Sequence, residues 1–290
     1  MASAKILVSN DDSVHAPGIE ALAEALSPLG EVWVVAPARE QSASSHKISL
    51  HDPLRLYELG ERKFAVDGTP ADCVYMGLNE ILPEPPDIVV SGINAGPNLG
   101  NDIMYSGTVA AAMEGVLLGY PGIAASLCLP ENRSGGWAPV RADFEVAADY
   151  VAQLAHAVLN KPMQAGTLLN VNVPFLPKDE LQGVKLSRLG YTDWAQSVTK
   201  REDPRGRPYY WIGGVREGLD HIPDSDNKAI SERCISLTPI HFDMTYPAAF
   251  SYVRSLELES FSLVADGLGE GSFELTEPRR SMKVQANKSK

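Results

Sequence analysis

Along residues 5–127, short apolar runs alternate with stretches of helical period, and a polar, glycine-containing loop follows nearly every run. That alternation constrains the fold most, because repeated strand–helix units pair through right-handed crossovers into a parallel sheet with helices on both faces. Residues 5–9 read as a first strand, followed by a helix with Ile19, Leu22, Ala23 and Leu26 on one face at helical spacing. Residues 32–36 are almost continuously apolar, as strands buried on both faces are. Residues 54–59 and 63–66 flank a glycine turn and predict a hairpin. Thr69-Pro70-Ala71-Asp72 has the order of a helix start, with a Thr N-cap, Pro at the first position and an acid in the first turn. Val74, Leu78, Ile81 and Leu82 give that helix its apolar face, and Pro83 ends it. A strand at 87–90, a Gly/Asn/Pro loop to Tyr105, a helix opened by Ser106 and a strand at 123–127 complete the series. The expected class is α/β, a doubly wound, mostly parallel sheet.

The rest is less regular. Residues 140–159 predict a helix, and 168–173 and 184–189 predict strands. From 191 to 233 the periodicity dissolves into Pro, Gly, Asp and aromatic residues. A loop that long is usually functional or an interaction arm. The expected organisation is a core over 1–190, an intersubunit arm over 191–233, a segment over 234–270 packing on the core or on a second subunit, and a disordered basic tail over 271–290.

Charge and cysteine usage narrow the setting. Lys plus Arg number 25 against 37 Asp plus Glu, a formal charge of −12. So acidic a chain repels nucleic-acid backbones and anionic membranes, and no stable partner of either kind is expected. Cys73, Cys128 and Cys234 form no CxxC pair, and a sparse, odd count fits a reducing cytoplasm. Ile6-Leu7-Val8 is too short for a signal-peptide core, and no run reaches the roughly 18–20 apolar residues of a membrane span. The expected location is cytoplasmic.

Ligands of open α/β sheets bind beyond the carboxyl ends of the strands. Asp11 and Asp12 follow the first strand and form a hard, anionic oxygen site suited to Mg²⁺ or Mn²⁺, unless they merely cap the next helix. Ser42, Ser44 and Ser45 follow the second strand. Ser91 through Asp102 supplies Asn and Ser oxygens and glycines. Ser106-Gly107-Thr108 puts hydroxyls and free amides at a helix N-terminus, where the dipole favours phosphate. The chain has no GxxxxGK[ST], GxSxG, HExxH or GxGxxG, so the common triphosphatase, serine hydrolase, zinc peptidase and dinucleotide chemistries drop out. Metal-assisted work on a phosphate ester survives.

The blocks Ile6-Leu7-Val8-Ser9-Asn10-Asp11-Asp12, His15-Ala16-Pro17-Gly18-Ile19, Val34-Val35-Ala36-Pro37 and Gly68-Thr69-Pro70-Ala71-Asp72-Cys73-Val74 resemble the survival protein SurE family. So do Ser91-Gly92-Ile93-Asn94-Ala95-Gly96-Pro97-Asn98-Leu99-Gly100 and Tyr105-Ser106-Gly107-Thr108-Val109-Ala110-Ala111-Ala112-Met113-Glu114-Gly115, with weaker echoes to Thr245. The resemblance implies a Rossmann-like core, an oligomer (homodimer or homotetramer) with an exchanged arm, and 5'-nucleotidase activity on nucleoside monophosphates. It also implies one divalent metal per subunit, Mg²⁺ or Mn²⁺, held by Asp11, Asp12, Ser42 and Asn94, with Asp11 and Asp12 catalytic. Asn10, Asn98, Ser106, Gly107 and Thr108 are the candidates for holding substrate, and His241 and Asp243 for proton transfer or gating. The nucleophile is either a metal-activated water or Asp11. Ser13 stands where the family usually has glycine. It either strains a positive φ by about 1 kcal/mol or more, or occupies ordinary backbone and adds a hydroxyl beside the metal. Short-chain polyphosphate is the alternative substrate. A nucleotide-binding regulator without turnover, or an interaction protein working through its arm, are the alternative classes.

Overall fold

The computed structural model describes residues 3–130, 138–161, 163–194, 197–213, 216–218 and 220–256. Chain order begins with β1 (Ala4–Ser9), α1 (Pro17–Leu26), β2 (Gly30–Pro37), β3 (Leu56–Gly60), β4 (Lys63–Val66), α2 (Pro70–Met76) and β5 (Ile88–Asn94). It continues with α3 (Gly107–Leu117), β6 (Gly122–Cys128), α4 (Glu145–Asn160), β7 (Thr167–Pro174) and β8 (Val184–Leu186). Then come β9 (Thr192–Trp194), β10 (Ser197–Glu202), β11 (Pro208–Gly213), β12 (Arg216–Gly218), α5 (Asp226–Ser231), β13 (Ile235–His241) and α6 (Phe250–Arg254).

Nine strands form one sheet in the order β3-β4-β2-β1-β5-β6-β7-β13-β8. The run from β4 through β7 is parallel; β3 is antiparallel to β4 at one edge and β13 antiparallel to β7 near the other. On β1, Ile6 and Val8 face the cluster formed with Ile19, Leu22, Phe144 and Val151 of the α1/α4 side. Leu7 faces the opposite cluster, with Val35, Val74, Val89 and Ala111 of the α2/α3 side. Every one of these side chains is buried, which is why β1 and β5 show apolar runs and no alternation. Small residues bring α3 onto the sheet: a Cβ at Gly115 would fall 2.7 Å from Val89 Cγ2. The chain moves from β1 outward to β2, then returns to lay β5 on the other flank of β1. The crevice beyond the carboxyl ends of β1 and β5 is therefore the topological switch point.

The expected α2 start is present as a capping box, Thr69 Oγ1 accepting from Asp72 N and Asp72 accepting from Thr69 N. Past Met76 the helix widens into a π-type turn over Gly77–Ile81 before Pro83. Three expectations need correcting. β5 runs to Asn94, so Ser91–Asn94 is strand and not loop: burial on both faces removes the alternation that would have marked it. The expected strand at 184–189 ends at Leu186, beyond which Arg188 makes an isolated bridge to Ser225. Residues 191–233 are also not patternless. Among the described residues they hold two antiparallel ladders, β10–β11 and β9–β12, and the helix α5. On the β10–β11 ladder Val198, Tyr209, Tyr210, Trp211 and Ile212 are exposed, whereas Asp226 and Asn227 of α5 are buried against the core. The expected tail at 271–290 lies outside the described residues. No helix among the described residues is long and apolar enough to cross a membrane.

Candidate active site

Beyond β1 the chain turns sharply. Asn10 Nδ2 donates to Ser13 O at 2.8 Å, and Ser13 has φ 102°. Helix α1 starts with Ala16 at its N-cap and Pro17 inside, with no side-chain cap. Asp11 and Asp12 therefore do not cap α1, and their carboxylates serve elsewhere.

Asp11 is buried, and its Oδ1 accepts the Thr108 hydroxyl at 2.5 Å. Burial pushes its carboxyl above the ordinary aspartate range; the Thr108 hydroxyl and the amides of Asp11, Thr108 and Gly107 oppose that shift by favouring the ionised form. The first turn of α3 thus presents its dipole to Asp11. A Cβ at position 107 would lie 2.7 Å from Asp11 Cβ and 2.9 Å from both Asp11 Oδ2 and Ser44 Oγ. Glycine at 107 lets the helix terminus, the carboxylate and the 41–46 loop converge. That loop is tied on by Gln41 N, which donates to Asp11 O at 2.8 Å. On the other flank Ala95 N donates to Asp12 Oδ2 at 3.0 Å, which sets Asp12 beside Asn94 at the end of β5.

The oxygen donors fit a hard divalent cation. Asp11 and Asp12 bring charge. Asn94 commits its amide nitrogen to Gly96 O at 2.8 Å, which leaves its carbonyl oxygen as an acceptor. Asn10 Oδ1 is buried and, among the described residues, has no hydrogen-bond donor facing it. Among the described residues no group of three or more His, Cys, Asp and Glu side chains is placed to hold a metal; this donor set has two carboxylates and neutral oxygens beside them.

This geometry can be set against known proteins. The family model of the survival protein SurE matches residues 6–196. The chain belongs to the SurE family. A protein named 5'-nucleotidase SurE in Anaeromyxobacter dehalogenans is 54% identical over 256 residues, covering 87% of this chain and 95% of its own. Its namesake in Geobacter sulfurreducens is 49% identical over 255 residues, covering 88% and 94%. The crystal structure of the SurE protein from Aquifex aeolicus superposes with a TM-score of 0.75 at 41% identity, covering 86% of this chain and 98% of that one.

The SurE blocks converge unevenly. Asp11, Gly107 and Thr108 meet directly, and Asp12 meets the Asn94 loop. Ser42 sits on the tied loop, but its residue is exposed and its hydroxyl donates to Glu40 Oε1 at 2.9 Å. Ser106 caps α3, accepting from Val109 N at 3.0 Å. Asn98 has its amide nitrogen and backbone engaged within the sheet. Its Nδ2 donates to Ser126 Oγ, its N to Asn172 Oδ1, and its O accepts from Asn170 and Asn172, in a buried polar network that anchors the loop after β5.

His241 and Asp243 are a correction within this chain. Because β13 is antiparallel to β7, His241 pairs with Thr167 at the amino edge of the parallel strands, while Ser236 pairs with Asn172 at the carboxyl edge. Five residues of strand, about 16 Å, separate His241 from the edge that carries Asp11, and the two strands lie four positions apart in the sheet. His241 instead stacks on Phe242, and its Nδ1 accepts from Asp243 N. The backbone amides of Gln41 and Ala95, which fix Asp11 and Asp12, were invisible to a reading of side-chain types, since any residue supplies an amide.

Proposed function

We propose that this chain is a divalent-metal-dependent phosphomonoesterase that hydrolyses nucleoside 5'-monophosphates to nucleoside and phosphate. The observation that carries the reading is the buried Asp11 carboxylate set against the first turn of α3 at the switch point of the sheet. An anion drawn to that helix terminus meets Asp11 at once, and the two negative groups are compatible with a cation between them. The names of the relatives at 54% and 49% identity support the nucleotide as substrate.

Asp11, Asp12, the Asn94 carbonyl and the Ser42 hydroxyl are the residues that would hold Mg²⁺ or Mn²⁺. When bound, the cation supplies positive charge to the phosphoryl oxygens as the bond to the leaving 5'-oxygen breaks. Thr108 holds one Asp11 oxygen, so the carboxylate keeps its orientation without rearranging when substrate arrives. Gly107 lets the first turn of α3 close directly on Asp11, since a Cβ there would fall 2.7 Å from Asp11 Cβ. The displacement is in-line, by water or by Asp11. Inversion at phosphorus marks the first course and retention the second.

The same reading makes the protein a homo-oligomer, with the exposed Tyr209, Trp211 and Ile212 of the β10–β11 ladder packing on a second copy. The deciding experiment is phosphate release from a panel of nucleoside monophosphates in EDTA, then with Mg²⁺ or Mn²⁺ restored. Metal-restored release is expected in the wild type and its loss in Asp11→Asn and Asp12→Asn, both folded. Full activity in either variant, or wild-type silence across the panel, overturns the assignment; short-chain polyphosphate belongs on the same plate.

A further inference from the structure

Ser42 and Ser44 share the loop after β2, yet they present their hydroxyls differently. Ser42 Oγ donates to Glu40. Ser44 Oγ is buried and has no hydrogen-bond partner. It lies within 2.9 Å of the point a Cβ at position 107 would occupy, and so does Asp11 Oδ2. Buried side-chain polar atoms are usually hydrogen-bonded; among the described residues Ser44 Oγ is one of six that are not, and it lies beside Asp11 and the first turn of α3.

The backbone holds Ser44 in that place deliberately. Its two neighbours, Ala43 and Ser45, have φ of 58° and 53°, a left-handed conformation that L-residues with a Cβ seldom adopt. Such conformations persist where the surroundings over-determine them. Here the loop is fastened on both sides of Ser44. Ser44 N donates to Gln41 O, and Gln41 N to Asp11 O, on the approach. On the departure, Ser45 donates from N to Tyr105 O at 3.1 Å and from Oγ to Met104 O at 2.7 Å. His46 Nε2 then meets the buried Glu114 Oε2 at 2.7 Å, on the body of α3. Five contacts and two left-handed residues converge to hold one hydroxyl against Gly107, on the side where Asp11 also packs.

We propose that Ser44 is a phosphoryl-binding residue: its hydroxyl donates to a non-bridging oxygen of the phosphate monoester, and to inorganic phosphate as product, across from the first turn of α3. This rests on the phosphomonoesterase reading above and adds to it a donor beyond the metal ligands and the Ser106–Thr108 segment. A hydroxyl is suited to the task because it is neutral, so it binds the dianion without competing with the cation for Asp11. Ser42, bonded to Glu40, is left for the cation side of the site.

The test uses the full chain in Mn²⁺, comparing wild type, Ser44→Ala and Ser44→Thr. Inorganic phosphate binding is read by calorimetry, and Mn²⁺ binding by the electron paramagnetic resonance of the free ion. Ser44→Ala is expected to weaken phosphate about tenfold or more, the size of one hydrogen bond to a charged group, with Mn²⁺ affinity unchanged and Ser44→Thr restoring phosphate binding. Equal phosphate affinity in Ser44→Ala, a parallel loss of Mn²⁺, or a wild type that binds no phosphate each overturns the proposal. Failure of the nucleotidase reading would look different: phosphate would bind in a Ser44-dependent way while no nucleotide was hydrolysed.

Discussion

Thr108 and Asp11 lie 97 positions apart in the chain, and the Thr108 hydroxyl donates to Asp11 Oδ1 at 2.5 Å. Both are buried, so neither can exchange this partner for water without opening the site. The bond makes α3 a part of the carboxylate's support and sets its orientation.

Thr108→Val keeps the shape and removes the donor. It takes one donor from a buried carboxylate that nearby amides also support, at a cost of about 1–3 kcal/mol. The expected outcome is a lower melting temperature, weaker Mn²⁺ binding and a kcat reduced by about tenfold to hundredfold, with Thr108→Ser recovering most of each. Unchanged Mn²⁺ affinity in the valine variant would show that the bond plays no part in holding the ligand.

Ser13 decides between two readings of its position in favour of strain, since its φ is 102°. Its backbone oxygen accepts from Asn10 Nδ2 and from Ala16 N, contacts that a glycine retains. Ser13→Gly is therefore expected to raise stability by about 1 kcal/mol and leave the proposed phosphomonoesterase activity in place. Differential scanning calorimetry reads the gain directly; a fall in melting temperature would mean that the serine hydroxyl contributes more than its backbone costs.

Cys73 is buried in α2, and burial, with Asp72 beside it, pushes its thiol well above the usual range. Alkylation requires the thiolate. In the native protein iodoacetamide is expected to modify Cys128, which is partly exposed, well before Cys73, and denaturant to abolish the difference. Peptide mass spectrometry resolves the order, and rapid native labelling of Cys73 would contradict the packing of α2 against the sheet.

Asp226 gives a pH dependence. Its oxygens accept from Gly100 N at 2.7 Å, Gly190 N at 2.8 Å and Asn227 N at 2.9 Å, while burial is the dominant influence and raises its carboxyl above the ordinary aspartate range. A raised folded value means that this group's contribution is fully present below the unfolded value and is lost as pH rises through the folded one. Asn does not titrate, so the stability advantage of wild type over Asp226→Asn is expected to be greatest near pH 4 and to shrink as pH rises. Melting curves of both proteins between pH 4 and 7 check the sign. An advantage that grows with pH would show that the three amides outweigh burial.

Much of the architecture was legible because local signals agreed with the tertiary result. The Thr69–Asp72 box, the Ser106 cap and the apolar runs of β1 and β2 each form for reasons contained within a few residues. Asp11, Gly107 and Thr108 were legible for a related reason: each closes a strand or opens a helix whose existence was already plain. What escaped was set by register and direction. Nothing in Thr238-Pro239-Ile240-His241 says that its strand runs antiparallel to β7, and that direction alone carries His241 to the far edge. Asn98 offered an amide that suits a ligand, but Ser126 on β6 takes its nitrogen while Asn170 and Asn172 on β7 bond its backbone, and those partners are invisible until the sheet is assembled. Ser44 and Ser42 are the same residue type two positions apart, and only the left-handed backbone around Ser44 turns its hydroxyl inward.

The order of the chain along the sheet also orders its synthesis. β1, β2, β5 and α3 have all emerged by residue 117, so the strands and the helix that converge on Asp11 are complete before the ladders of residues 192–218 exist. Gly100, in the loop beyond Asn94, then waits for Asp226, which arrives 126 residues later and fastens that loop and Gly190 through one carboxylate. A nascent chain that has not yet delivered α5 already contains Asp11 and Asp12, while the loop at Gly100 beside them is still unlatched.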